Sequence, residues 1–173
     1  TAINIALALA EGEHNVVLVD GDMRRPTLAK YLGLIGTVGF STVLSGQASL
    51  GEALQKTGFP GLTVLTYGPV PPNPSELLGS QSARNLLNEL RAQFDYVIID
   101  STPLLAVTDA AIIAAGADGV LIIARFGQTK REQLAHAAAS SGMTSGPGGA
   151  VHHHKRKKIV QSAWNRCRWT MFQ

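Results

Sequence analysis

Two short apolar segments that each end in aspartate constrain the fold of this chain most strongly. Val16–Val19 is followed by Asp20 and Asp22, and Val97–Ile99 is followed by Asp100. Short continuous apolar runs rich in β-branched residues are typical of strands that are covered on both faces of a parallel sheet. The sequence therefore predicts two inner strands with carboxylates at their carboxyl ends.

Segments with helix patterns alternate with segments with strand patterns over the first 139 residues. Helices are predicted at 2–12, 26–32, 40–44, 50–55, 81–93, 108–115 and 130–139, and strands at 16–19, 62–66, 96–99 and 120–124. This alternation predicts an α/β fold in which helices cover both faces of a parallel sheet. Ligands of such sheets bind beyond the carboxyl ends of the strands. Asp20, Asp22 and Asp100 are therefore expected at one crevice.

The charged residues divide the chain into two parts. Residues 1–140 hold 9 Lys+Arg and all 12 Asp+Glu, for a net charge of −3, whereas residues 141–173 hold 6 basic residues and no acidic one. We therefore expect one partial α/β domain over 1–139 and an irregular, basic, disordered tail over 140–173, in which no strand is predicted. The abrupt change of composition near residue 140 is what a change of reading frame would produce.

Several other classes of protein are disfavoured. No uncharged apolar run reaches the ~18–20 residues that cross a bilayer, and the start has the pattern of a helix rather than of a signal peptide. The single cysteine, Cys167, excludes an internal disulfide. Three adjacent histidines, His152–His154, do not have the spacing of a metal site.

Asp20 and Asp22 are the first candidates for chemistry. Residues two apart in an extended chain point to the same side, so one carboxylate can hold a metal-bound water while the other orients a hydroxyl nucleophile. Asp100 has the pattern of a strand end that helps to hold Mg²⁺ through water. Arg24 and Arg25 can contact phosphate oxygens or an acidic partner. The alternative is that the aspartates cap turns and Arg25 is solvated, but the combination at one strand edge favours a functional site.

Three segments carry a resemblance to a known family. They are Val-Leu-Val-Asp-Gly-Asp-Met-Arg-Arg-Pro-Thr at 17–27, Gly-Pro-Val-Pro-Pro-Asn-Pro-Ser-Glu-Leu-Leu at 68–78 and Val-Ile-Ile-Asp-Ser-Thr-Pro at 97–103. They resemble the Walker A-prime motif, a typical loop and the Walker B motif of the bacterial tyrosine kinases of capsule and exopolysaccharide synthesis. Val-Thr-Asp-Ala at 107–110 also fits. The resemblance covers about residues 1–139 and implies a P-loop NTPase fold of the type found in the MinD and ParA ATPases.

The resemblance also implies a reaction and a set of roles. The γ-phosphoryl group of ATP would pass to a tyrosine, often on a neighbouring copy of the same protein, with Mg²⁺ as cofactor. Asp20 would lie near Mg²⁺ and the incoming hydroxyl group as the candidate base. Asp22 and Asp100 would position Mg²⁺ and its waters, and Arg24 is the arginine of the motif.

Partners and location follow from the same resemblance. It implies a membrane-embedded chain-length-determinant protein as activating partner, homo-oligomers that phosphorylate in trans, and no nucleic acid. The protein would lie in the cytoplasm at the inner face of the plasma membrane, attached through that partner or a fused membrane segment. Its activity would regulate polysaccharide polymerisation and export.

Two departures from the family pattern lead to further expectations. The 173 residues contain no G-x-x-x-x-G-K-[ST] segment, which in the family would lie just before Thr1. We therefore expect this chain neither to bind ATP tightly nor to phosphorylate itself. The family usually ends in a tyrosine cluster, whereas the tyrosines here are Tyr31, Tyr67 and Tyr96.

Two alternative functions remain open from the sequence. One is a ParA- or MinD-like positioning ATPase whose basic tail contacts DNA or a membrane. The other is a non-catalytic remnant that binds only the membrane partner. The Arg24–Thr27 segment and the prolyl segment at 68–78 favour the kinase.

Overall fold

The computed structural model describes residues 1–22, 24–103, 108–124 and 128–140, together with the backbone of 152–153 and 169–172. In these parts of the chain the helices are α1 Ala2–Glu11, α2 Leu28–Leu32, α3 Phe40–Leu44, α4 Leu50–Ala53, α5 Pro74–Leu78, α6 Gln81–Gln93, α7 Asp109–Ala115 and α8 Arg131–Ser140. The strands are β1 Val16–Asp20, β2 Leu54–Lys56, β3 Leu62–Leu65, β4 Tyr96–Asp100, β5 Val120–Leu121, β6 Ile123–Ala124, β7 His152–His153 and β8 Trp169–Phe172. Among the described helices, none combines the length and the apolar character needed to traverse a bilayer.

A six-stranded sheet with the order β2-β3-β1-β4-β8-β5 forms the centre of the fold. β1 pairs in parallel with β3 on one side and with β4 on the other, and β8 pairs in parallel with β4 and β5. Only β2 runs antiparallel within this sheet, and β6 and β7 form a separate parallel pair. The predicted α/β fold with a helix-covered, mainly parallel sheet is confirmed.

The side chains of β1 enter two separate cores because successive residues of a strand point to opposite faces. Val17 and Val19 pack into a cluster with residues of α3, α6 and α7. Val16 and Leu18 pack into a second cluster with residues of α1 and α2. All five residues of β1 are buried, as the continuous apolar run predicts for an inner strand. Helices therefore cover both faces and hold the carboxyl end of β1 in place.

α6 is the longest described helix and has a side-chain cap. Ser80 precedes it in an extended conformation, and its Oγ accepts a hydrogen bond from the backbone N–H of Ala83. Ala83, Leu86 and Leu90 are buried, and their three- and four-residue spacing forms one apolar face. The helix predicted at 81–93 is confirmed.

Three predicted elements differ from the structure. The helix predicted at 50–55 ends at Ala53, and the next residues form β2, because their backbone pairs with β3. The segment at 68–78, which the resemblance describes as a loop, forms α5 from Pro74 onward, since proline at the first position of a helix has no N–H to lose. The strand predicted at 120–124 is divided into β5 and β6, which belong to different sheets.

The segment after residue 140 also differs from expectation, because no strand was predicted there. The backbone of β8 lies between β4 and β5 in the sheet, and the backbone of β7 pairs with β6. Pairing with two neighbouring strands satisfies backbone groups that would otherwise lack partners. The remainder of 141–173 lies outside the described residues, and the domain boundary at residue 139 stays a prediction.

Candidate functional site

The last residues of β1 and β4 bring two aspartates side by side. Asp20 and Asp100 are direct partners in the register of these parallel strands, which lie about 4.8 Å apart in sheets of this kind. Immediately beyond, the backbone N–H of Gly21 donates to the carbonyl oxygen of Asp100 at 2.7 Å. A Cβ at Gly21 would lie 2.8 Å from that oxygen, so the close approach requires glycine. The predicted crevice edge is therefore built by backbone pairing as well as by carboxylates.

Asp20 is buried, with 1% of its surface exposed. Its Oδ2 accepts a hydrogen bond from the backbone N–H of Leu28 at 3.1 Å, whereas its buried Oδ1 accepts none from the described residues. Burial raises the pKa of Asp20 to about 6, against the lowering effect of the Leu28 N–H, and the nearby charge of Asp100 raises it further. Asp20 is thus a carboxyl group with an elevated proton affinity and one oxygen that no described residue pairs.

Asp100 lies in a similar environment. Burial is the main cause that raises its pKa, and the charge of Asp22 acts in the same direction. Asp100 is therefore a second carboxyl group at this edge whose pKa is raised by burial.

Asp22 organises the turn that follows β1. Its Oδ1 accepts hydrogen bonds from the backbone N–H groups of Arg24 and Arg25, each at 3.0 Å. An aspartate that binds the backbone two and three residues ahead stabilises a tight turn. Part of the turn-capping alternative is therefore correct for Asp22, whose other oxygen makes no hydrogen bond to the described residues.

The side chain of Arg24 contacts a carboxylate that the sequence did not single out as functional. Arg24 Nε lies 3.1 Å from Asp109 Oδ2, and the Asp109 side chain is fully buried at the start of α7. The hydroxyl of Ser75, in α5, donates to the other oxygen of Asp109. The side chain of Arg24 is therefore held by Asp109, beside α5 and α7, whereas only its backbone N–H bonds to Asp22. The available signal was the Val-Thr-Asp-Ala segment at 107–110.

Tyr67 is a second residue that sequence reasoning missed. It follows β3, is 2% exposed, and its hydroxyl lies near that of Ser41 without a regular hydrogen bond to any described residue. Burial raises the pKa of Tyr67 to about 12, and the charge of Asp20 contributes, while the Ser41 hydroxyl lowers it. Ser41 Oγ itself donates to the carbonyl oxygen of Pro69 at 2.7 Å. A buried phenol therefore lies beside the candidate carboxylates.

The donor set fits a divalent cation with incomplete protein coordination. Within the described residues, no group of three or more His, Cys, Asp or Glu is arranged to hold a metal ion. Mg²⁺ is usually bound by one or two carboxylates and several waters rather than by a full protein cage. The buried Oδ1 of Asp20 accepts no hydrogen bond from the described residues, and the Asp100 carboxylate lies beside it. These two carboxylates match the incomplete protein coordination that Mg²⁺ prefers.

A separate cavity of about 500 Å³ lies between α3 and the prolyl segment. Its lining includes Ser41, Thr42, Gln47, Pro72, Asn73 and Glu76. Asp20, Asp22 and Asp100 do not line it, so it is distinct from the carboxylate edge.

Comparison with known proteins decides the family. The chain is 42% identical to the tyrosine-protein kinase YwqD of Bacillus subtilis over 137 residues, which are 79% of this chain and 58% of YwqD. The kinase domain of VpsO is 30% identical and superposes with a TM-score of 0.77. The superposition covers 88% of this chain and 73% of the VpsO chain. This chain belongs to the bacterial tyrosine-kinase family. No protein-family model matches it.

Membership of the bacterial tyrosine-kinase family confirms the resemblance identified from the motifs. The chain nevertheless spans less than two thirds of the length of YwqD. Cobyrinic acid a,c-diamide synthase from Mycobacterium smegmatis, solved with a bound ATP analog and magnesium, superposes with a TM-score of 0.64 over 98% of this chain. At 20% identity that likeness shows a shared fold alone. The fold of this chain is thus shared with that synthase as well as with the kinase domain of VpsO.

Proposed function

We propose that the protein is an ATP-dependent protein-tyrosine kinase whose reaction takes place at the carboxyl ends of β1 and β4. The observation that carries this proposal is the pairing of Asp20 with Asp100 at one strand edge, where the buried Oδ1 of Asp20 accepts no hydrogen bond from the part of the chain that is described. Family membership supplies the type of reaction. Phosphoryl transfer depends mainly on positioning and on neutralising charge, and this edge offers groups for both.

Asp20 is the proposed general base. It accepts the proton of the tyrosine hydroxyl while the phenolic oxygen bonds to the γ-phosphorus and the bond from that phosphorus to the ADP oxygen breaks. A base works best when its pKa lies close to the working pH, and the pKa of Asp20 is raised to about 6. Near pH 7 the carboxyl group is therefore mostly ionised and holds a proton better than an ordinary aspartate.

Asp22 and Asp100 are the proposed residues that position Mg²⁺, largely through its waters. Once bound, the metal ion neutralises charge on the β- and γ-phosphates of ATP. The carboxylate of Asp100 and the Asp22 oxygen that makes no hydrogen bond to the described residues would hold those waters. The terminal nitrogens of Arg24 are proposed to contact phosphate oxygens.

The 173-residue chain by itself is proposed to bind ATP weakly. Backbone N–H groups and a lysine of a G-x-x-x-x-G-K-[ST] loop supply most phosphate contacts in P-loop proteins, and these residues contain no such loop. The carboxylate edge alone repels a polyphosphate unless a cation is bound.

The biological setting is proposed from the family resemblance. The kinase would regulate synthesis and export of a capsular or extracellular polysaccharide, at the inner face of the plasma membrane. It would act with a membrane-embedded chain-length-determinant protein and phosphorylate neighbouring copies of itself. Nucleic acid is not among the proposed partners.

A fusion experiment tests the kinase proposal. A G-x-x-x-x-G-K-[ST] phosphate loop is joined before Thr1, and transfer of ³²P from γ-labelled ATP to tyrosine is measured with an added tyrosine-containing peptide as acceptor. We expect tyrosine to be labelled by the fusion but not by the 173-residue chain, at a rate that rises with pH through about 6 as Asp20 ionises. Asp20→Asn should reduce the rate by about 100-fold or more, because general-base catalysis contributes about 10²–10⁴-fold.

Asp118→Asn is the matched control, since Asp118 forms a surface ion pair with Arg91 and exposed ion pairs contribute little. It should leave labelling unchanged. A fusion that binds Mg·ATP but labels no tyrosine, or an Asp20→Asn fusion with full activity, would contradict the proposal.

A further inference from the structure

Asp109 unites three segments that lie far apart in the sequence. It opens α7, its side chain is fully buried, and its two carboxylate oxygens bind different partners. Oδ2 accepts a hydrogen bond from Arg24 Nε, in the turn after β1, and Oδ1 accepts one from the Ser75 hydroxyl, in α5. A buried carboxylate is costly unless its oxygens are paired. Loss of either contact would leave a buried carboxylate oxygen unpaired, and this cost favours keeping both contacts.

The backbone and the side chain of Arg24 are held separately. Asp22 Oδ1 fixes the backbone N–H of Arg24, and Asp109 fixes Nε. The side chain is still 48% exposed. Its terminal nitrogens make no hydrogen bond to any residue in the described ranges. The guanidinium group is therefore oriented by one edge while its remaining N–H donors stay available to an anion.

We propose that Asp109 is a positioning residue that fixes the guanidinium group of Arg24 so that its terminal nitrogens meet the phosphate oxygens of ATP. This inference rests on the proposed kinase function. Preorganised donors stabilise charge that develops during transfer without having to reorient. Ser75 ties the prolyl segment to the same carboxylate, so α5 and the site share one anchor.

The first test follows Arg24 in the absence of nucleotide. The Nε–H signals of ¹⁵N-labelled arginine are recorded for the 173-residue chain, with Arg25 as an internal exposed reference. We expect the Arg24 Nε–H to exchange with water at least about tenfold more slowly than that of Arg25, because a buried acceptor protects it. Asp109→Asn should remove that difference, and Asp118→Asn should preserve it. An Arg24 signal unaffected by Asp109→Asn overturns the proposal.

The second test measures autophosphorylation of the phosphate-loop fusion. Asp109→Asn should lower kcat by about 10- to 100-fold, while the KM for Mg·ATP changes by less than about threefold, since the interaction strengthens in the transition state. Asp109→Asn added to Arg24→Ala should lower kcat by less than about twofold further. Losses that multiply in the double variant would mean that Asp109 acts on folding rather than through Arg24, and would overturn the proposal.

Two further readouts keep the outcomes distinct. Ser75→Ala leaves the ion pair between Arg24 and Asp109 in place. It should retain the slow exchange of the Arg24 Nε–H and should lower kcat less than Asp109→Asn does. This variant keeps the test informative if Asp109→Asn fails to fold. If the fusion labels no tyrosine but binds Mg·ATP, the kinase proposal fails. The Arg24 signal then decides the present one: a shift on adding Mg·ATP that Asp109→Asn abolishes supports it, and an unchanged signal overturns it.

Discussion

The two carboxylate oxygens of Asp20 have different surroundings. Oδ2 accepts a hydrogen bond from the backbone N–H that begins α2, whereas Oδ1 is buried and accepts none from the described residues. An enclosed, unpaired carboxylate oxygen lowers the stability of the folded state when the group is charged. Residues that prepare a site for a ligand often carry such a cost. Stability and activity are therefore expected to respond to Asp20 in opposite directions.

The pH dependence of stability tests this expectation. The folded-state pKa of Asp20 is about 6, above the ordinary aspartate value of 3.8, so between these values the folded state binds more protons than the unfolded state. Stability should consequently fall as pH rises from about 4 to 6, by up to about 3 kcal/mol from this group. Asp20→Asn should be more stable than the wild type at pH 7 and lose that advantage near pH 4, as measured by urea unfolding.

A substitution that does not titrate provides the comparison. Ser80→Ala should change the free energy of unfolding by the same amount at each pH. If the difference between Asp20→Asn and the wild type were equally constant, the burial of a charged Asp20 would not be its cause.

At the scale of elements, the cap of α6 gives a prediction for stability. Ser80→Ala removes the hydroxyl that accepts from the Ala83 N–H and should lower the free energy of unfolding by about 1 kcal/mol. Ser82→Ala is the matched control, because Ser82 lies exposed in the same first turn and should change stability by less than about 0.5 kcal/mol. Equal effects of the two substitutions in thermal or urea unfolding would contradict the assigned cap.

Elements with a strong local pattern were predicted correctly, and elements defined by pairing were not. β1, β4 and α6 follow from apolar runs and from a serine before an apolar stripe. β2 has no such signal, since Leu54–Lys56 becomes a strand by pairing with β3. Pairing depends on neighbours that local sequence does not reveal.

The same limit applies to the site. The strand ends placed Asp20 and Asp100 together, because parallel strands terminate at one edge. The contact of Arg24 with Asp109 joins positions 85 apart in the chain, and a buried tyrosine beside Asp20 depends on the course of β3. Tertiary packing decides both, so motif reasoning could not predict them.

At the scale of the whole molecule, β8 joins two parts of the sheet. It pairs with β4 over Val97–Asp100 and with β5 over Val120–Leu121. The unit proposed from the sequence ends at residue 139, so β8 contributes a strand from beyond it. Both neighbours would expose backbone groups without it.

Removal of residues 141–173 should therefore destabilise the protein. We expect the free energy of unfolding to fall by about 2–4 kcal/mol, since each lost backbone hydrogen bond costs about 0.5–1.5 kcal/mol. Urea unfolding of residues 1–140 and of the whole chain measures the difference. Thr170→Pro in the whole chain should reproduce part of the loss, because proline cannot donate to the ladder. Identical urea midpoints would contradict the prediction, because they would mean that β8 adds nothing to the free energy of unfolding of residues 1–140.

The two outermost strands of the six-stranded sheet are both short. β2 has three residues, ends in Lys56 and runs against the direction of its neighbour, and β5 has two residues. Long, flat outer strands are templates on which another chain can add a strand and begin to aggregate. This sheet ends on both sides in strands too brief to serve as such a template. The architecture that gathers aspartates at the ends of its inner strands thus also leaves no long outer strand, among the described residues, on which a fibre could grow.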